Sequence, residues 1–430
     1  MADEQDVTAS MLRDKALDSN RGWEIVESLT TEVGPRLAGT EADRRAVTWA
    51  RALLEQSTEA GLFDRVWLEP VSFPIWQRHR ERARVVSPYP QPLQITALGY
   101  SGSTDGEISA EVIAFPDLAA LQAVDEAAVA GKIVFINQPM ARHREGKGYA
   151  EVVPNRYAAG TIAKQKGAVA ALIRSVGTDS HRFPHAGASS RESDPLPAAA
   201  LSAPDADQLQ RILDREQTLL LALDISVSEQ PHGESHNVIA QIDGRADAQK
   251  IVLIAAHLDS WDLGTGAIDD GAGVAITVAA AELIGELPQR PKYSVRVVLF
   301  ANEEQGIWGG KAYAAAHQAE LRDHLFASES DFGAGPVWRF NTANEALMDK
   351  AMPHLAALGI ERGGEAASGG PDIKPLLAAG VPVFRLQQDG TDYFDYHHTA
   401  DDTLDKIDAV ELKQNIAAWA VVTFLAADSD

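Results

Sequence analysis

The chain predicts an α/β protein built on a mostly parallel, doubly wound sheet flanked by helices, with a smaller α/β domain inserted into it. Three observations carry this reading. After Asn237, apolar β-rich runs alternate with helical ones in the order NVIAQIDG, KIVLIAAH, GAGVAITVAAAELIGEL, SVRVVLFAN, GGKAYAAAHQAEL, HLFASES and PVFRLQQ, the alternation that builds parallel sheets. Between about Gly106 and Ser228 the texture shifts to short strands, Ala-rich helices and long Gly, Ser and Pro stretches. The length of 430 residues leaves room for two or three units of about 100–200 residues each.

Taken in order, TEADRRAVTWARALLEQSTEAG, from Thr40 to Gly61, spaces Ala, Val, Trp and Leu at helical intervals behind an acidic start and reads as an amphipathic helix. RVWLEPVSF, RARVVSP and LQITALGYS read as strands, so residues 1–105 form the first part of a main domain. Residues 106–228 form the insert, with strands KIVFIN and AVAALIRS and the long loop HRFPHAGASSRESDPLP. A polar link, SVSEQPHGES, leads back to the main domain at 229–430, which LKQNIAAWAVVTFLAA closes as a largely buried helix.

Composition excludes several functions. Hydrophobic residues at 45% and charged residues at 23% describe an ordinary globular chain. With 62 acidic and 38 basic residues, the net charge of -24 repels phosphate backbones and anionic lipid, so nucleic acid is not an expected partner. The lack of cysteine removes disulfides, thiolate zinc sites and a cysteine nucleophile, leaving His, Asp and Glu to hold any metal. No apolar run is long enough to insert in a membrane, and MADEQ lacks the regions of a signal peptide, although a chain trimmed at a cleavage site would begin much like this.

The chemistry gathers at strand ends, where ligands of open α/β sheets collect. KIVLIAAH runs into His257, Asp259 and Asp262, and then into Asp269 and Asp270 before a helix opening. SVRVVLFAN ends in Glu303 and Glu304, HLFASES at Asp331, and the last core strand leads to Tyr393, His397 and His398. Such a ring of imidazole and carboxylate donors suits two zinc ions sharing a bridging carboxylate, with an unligated carboxylate as base for the activated water. Glu303 is the residue assigned to that task. Asp270 reads as a helix cap, Tyr393 either as a donor to the tetrahedral intermediate or as a packing residue of its loop, and Gly271 and Gly273 as close-packing positions, since no phosphate-binding signature accompanies them.

HLDSWDLGTGAIDDGAG, NEEQGIWGG, ESDFGAG and DYHHTADDT, in this order, resemble the motifs of the co-catalytic di-zinc exopeptidases of clan MH, the leucyl aminopeptidase and carboxypeptidase Q-like enzymes. The resemblance implies the zinc exopeptidase fold and two Zn2+ per chain. It makes Asp269 the bridging ligand, puts His257 and Asp331 on one ion and Glu304 and His398 on the other, and gives Glu303 as general base with Asp259 orienting the histidine. HLDSWD and the insert are more similar to the carboxypeptidase Q-like branch, and the insert resembles a protease-associated domain. The implied partner is a peptide or dipeptide substrate, a homodimer is compatible with the sequence, and the implied compartment is periplasmic or extracellular, the cytoplasm being also compatible. One departure bears on substrate preference: Pro371 precedes Asp372 where the family often has Ser or Thr.

Two other functions fit the same fold. A glutaminyl-cyclase-like transferase would hold one zinc, and a receptor-like relative would be inert toward peptides. The serine-hydrolase elbow GxSxG and the HExxH helix are absent from the sequence.

Overall fold

A computed structural model describes residues 4–215 and 217–429. One unit comprises Met1–Phe73, Glu234–Tyr393 and Asp402–Asp430, and the other Pro74–Gly233 and Phe394–Asp401. Two 23-residue strands, Arg65–Ser87 and Leu220–Ile242, contribute to both units. The run SVSEQPHGES, expected as a link, is the middle of the second strand. Its side chains are largely exposed, and ladder hydrogen bonds join backbone groups whatever the side-chain polarity.

In the first unit the main sheet runs His324–Glu329, Asp247–His257, Tyr293–Phe300 and the C-terminal part of Leu220–Ile242. The first three strands are parallel and the fourth is antiparallel. Ile251 to His257 is buried at every position, as the unbroken apolar run KIVLIAAH requires of a strand covered on both faces. The helix Ala272–Gly285 is buried on all sides and packs against the sheet and against the terminal helix Ala409–Ala427. Gly273 is needed at its start: a Cβ there would lie 2.0 Å from the Ser330 carbonyl oxygen. The expected helix at Thr40 spans Glu41–Glu59, with the Thr40 hydroxyl accepting from the Asp43 N–H at 3.3 Å.

PVFRLQQ forms the strand Phe384–Gln388, which pairs antiparallel with Val337–Thr342 in a separate three-stranded sheet. In the second unit the strand order is Leu220–Ile242, Ile108–Phe115, Ile133–Ile136, Ala170–Arg174, Ala198–Leu201 and Ile95–Ala97. The middle four are parallel to one another, and the helix Lys147–Gln165 shields a core that includes Val134, Ile173 and Ala200. No described helix is long and apolar enough to cross a membrane.

Candidate active site

Parallel register sets the site of the first unit. Phe300 pairs with His257, and Glu329 with Ala255, so three neighbouring strands end nearly level. The residues that follow them therefore converge at one sheet edge. His257 Nε2 lies 3.1 Å from Asp269 Oδ1 and 3.7 Å from Asp331 Oδ1. One donor atom from each of the three falls within 4.8 Å of the others, and His257 and Asp269 are buried. The His257 Nδ1 faces the Asp259 carbonyl oxygen at 3.1 Å, so Nδ1 donates there and Nε2 is the nitrogen that faces the carboxylates.

Burial disfavours a charged His257, yet the carboxylates of Asp259, Asp269 and Asp331 outweigh it and raise its pKa well above the usual value. This is the electrostatics of a site that wants a cation. An imidazole nitrogen and carboxylate oxygens at these separations, with no thiolate, form a donor set that fits zinc.

Asp259 also serves the neighbouring strand end. Its Oδ1 is 3.6 Å from His257 Nδ1 but accepts the Glu303 N–H at 3.0 Å, so it fixes the backbone of Glu303. Just before it, Asn302 adopts a left-handed conformation at φ 54° and turns the chain out of the strand. Asp270 accepts from the His257 N–H at 3.0 Å and the Gly273 N–H at 3.1 Å, the capping role expected of it. Desolvation pushes the Glu303 carboxyl well above its ordinary range; His257 opposes this, while Asp331, Glu304 and Asp372 reinforce it. Glu304 and Tyr393 are buried. The Tyr393 phenol is pushed well above its usual pKa by burial and by the charges of Asp269, Asp331 and Glu304, so it stays a proton donor.

Two further groups of residues, outside the predicted catalytic and ligand set, support the site. The buried Arg36 donates to the carbonyl oxygens of Leu258 at 2.6 Å, Thr265 at 2.7 Å and Gly266 at 2.9 Å, clamping the loop that leads to Asp269. Asp372 accepts from the Gly310 N–H at 2.9 Å, and its own N–H donates to Glu329 Oε2 at 2.8 Å. Burial raises the Asp372 carboxyl to about 7.

His398 lies on the segment Phe394–Asp401, which belongs to the second unit. Its Nδ1 donates to the Ala186 carbonyl oxygen at 3.1 Å, and the Ala186 N–H returns a 2.8 Å bond to the His398 carbonyl. Its φ of 62° is the left-handed region, which few non-glycine residues occupy. Beside it, the buried His185 bonds the His397 carbonyl oxygen at 2.8 Å and Asp179 Oδ1 at 2.6 Å. These contacts leave His398 Nε2 as the nitrogen able to ligate. His185 and Asp179 stand in a loop whose sequence shows only scattered histidines, and pairing across more than 200 residues leaves no local pattern.

A buried imidazole ringed by carboxylates at the strand ends of an open α/β sheet, next to a glutamate held by its backbone, marks a metallo-exopeptidase. The pattern described as "Peptidase family M28" matches residues 237–423. Carboxypeptidase Q of Xenopus laevis is 35% identical over 96% of this chain and 87% of its own length. The crystal structure of a peptidase M28 precursor from Shewanella amazonensis SB2B shares 47% identity and a TM-score of 0.95, covering 99% of this chain and 97% of that one. The zinc aminopeptidase of Bacillus subtilis, at 18% identity and a TM-score of 0.68 over 95% of each chain, shares the fold. The chain belongs to peptidase family M28.

Proposed function

We propose that this peptidase holds two zinc ions and removes residues at peptide ends, as an aminopeptidase or a carboxypeptidase Q-like dipeptidase. In this reading Asp269 would be shared by the two ions, His257 and Asp331 would hold one, and Glu304 and His398 would hold the other. The observation that carries it is the set of buried His257 and Asp269 with half-buried Asp331, beside Glu303. Bound zinc would acidify a water molecule and polarise the scissile carbonyl. Glu303, unligated and held by Asp259, takes the proton and delivers it to the leaving amine. Tyr393 donates to the oxygen that gains charge. Neither a one-zinc cyclising transferase nor an inert receptor is favoured by relatives that are peptidases by name.

An extracytoplasmic place of action belongs to the same proposal, supported by the precursor form named for the Shewanella relative. Cell fractionation tests it.

The deciding experiment is a digest of dipeptides and of peptides blocked at either end, read by mass spectrometry with and without a chelator. Release of end residues that stops on chelation and returns with zinc supports the reading. Glu303→Gln should lower kcat by about 10²–10⁴-fold with metal content unchanged. Full activity in that variant with both ions bound would sink the assignment.

A further inference from the structure

The first unit holds several arginines away from its surface, and most of their donors are already engaged. Arg36 is committed to carbonyl oxygens, and Arg296 to Gln241 Oε1 at 2.9 Å and the Tyr313 hydroxyl at 2.7 Å. Arg339 stacks on Trp338, its guanidinium carbon 3.9 Å from the ring centroid. Arg385 differs. Its one side-chain hydrogen bond among the described residues runs from Nη1 to the Ser368 hydroxyl at 2.8 Å, and it forms no ion pair there. A guanidinium has five N–H donors in a fixed fork, so most of this one's capacity is unspent.

Its position follows from the sheet. Phe384–Gln388 runs beside His324–Glu329, joined by the parallel bridge Ala327 to Val383 and by the Ser328 hydroxyl donating to the Phe384 carbonyl at 2.8 Å. One step along that register, Arg385 stands level with Glu329, two residues short of Asp331. The guanidinium carbon lies 5.7 Å from the Phe332 ring centroid, and that ring packs at 4.8 Å on Tyr393. Ser368 opens the loop that carries Asp372, the loop in which Pro371 departs from the family pattern. Arg385 is thus a half-open cation at the rim of the donor set, fixed on one side by Ser368.

We infer that Arg385 reads the free α-carboxylate of the peptide substrate, its open N–H fork pairing with both carboxylate oxygens. The inference rests on the peptidase reading above and deepens it by naming the substrate group recognised. Two features favour a carboxylate over a side-chain ligand. The fork matches a planar two-oxygen acceptor, and the neighbouring Asp331 and Glu329 act on Arg385 through their charge without forming an ion pair with it among the described residues. The competing role is that of a counter-charge, a cation that only offsets the acidic cluster. Both roles predict harm on removal, and they differ in which substrate is harmed.

The test compares kcat/KM for a dipeptide and for the same dipeptide with its C-terminus amidated, in the zinc-loaded wild type, Arg385→Met and Arg385→Lys, with zinc content measured for each. Wild type should prefer the free acid. Arg385→Met should lose about 10²–10³-fold on the acid, chiefly through KM, and little on the amide, with zinc unchanged. Arg385→Lys, which keeps the charge without the fork, should lose about 10-fold on the acid and gives the answer if the methionine variant fails to fold. Equal losses on acid and amide, or loss of zinc in Arg385→Lys, would overturn the assignment in favour of a counter-charge. A wild type that cleaves acid and amide equally overturns Arg385 alone, whereas a zinc-loaded wild type that cleaves neither overturns the peptidase reading as well.

Discussion

His324 shows how one buried side chain ties stability to pH. Its Nδ1 donates to the Glu320 carbonyl at 3.1 Å and its Nε2 accepts from the Tyr313 hydroxyl at 2.9 Å, an arrangement that needs a neutral ring. Burial lowers its pKa to about 4 from 6.5. Between those values the unfolded chain binds the extra proton, so stability is full above the unfolded pKa and is lost as pH falls toward 4. The expected slope from this group is about 1.4 kcal/mol per pH unit inside that window. Urea titrations should show that slope flattened in His324→Gln; an identical slope in wild type and variant would refute it. At the same scale, Asp179→Asn loosens the His185 contact to the His397 carbonyl. It should weaken zinc affinity by about 10–100-fold, read by competition with a chromogenic chelator while the fold is monitored by circular dichroism. Unchanged affinity would leave Asp179 a purely structural residue.

At the scale of elements, the loop from Leu258 to Gly266 has no regular structure and owes its shape to Arg36. Arg36→Leu leaves the Leu258 and Thr265 carbonyl oxygens without their donor, each costing about 1–3 kcal/mol, while the Gly266 carbonyl keeps the Gly271 N–H at 3.0 Å. The variant should be destabilised by several kcal/mol and should bind zinc poorly through Asp269. Thermal unfolding and metal analysis check both, and a stable variant with full zinc would show that the loop holds itself. The strands and helices around this loop were legible because their apolar spacing is local: KIVLIAAH, SVRVVLFAN and the Thr40 helix all stand where the pattern puts them. The polar middle of Leu220–Ile242 was not, because its strand conformation comes from pairing with distant backbone rather than from its own side chains.

For the whole molecule, the site concentrates carboxylates that only a cation reconciles. Chelation should lower the Tm by several degrees or more, and zinc should restore it, since a ligand at about a thousand times its Kd contributes roughly 4 kcal/mol. A Tm indifferent to chelator would mean that the acidic cluster is stable without metal. The sequence by itself determined the α/β class, the acidic strand ends and the order of the motifs, because each depends on residues near one another in the chain. Only the tertiary structure decided how those ends meet: that Asp259 holds the Glu303 backbone, that Arg36 braces the loop before Asp269, that His185 and Ala186 set the His398 segment, and that Arg385 keeps its donors open. These are contacts between residues tens to hundreds of positions apart, fixed by sheet register and packing, and no local pattern encodes them.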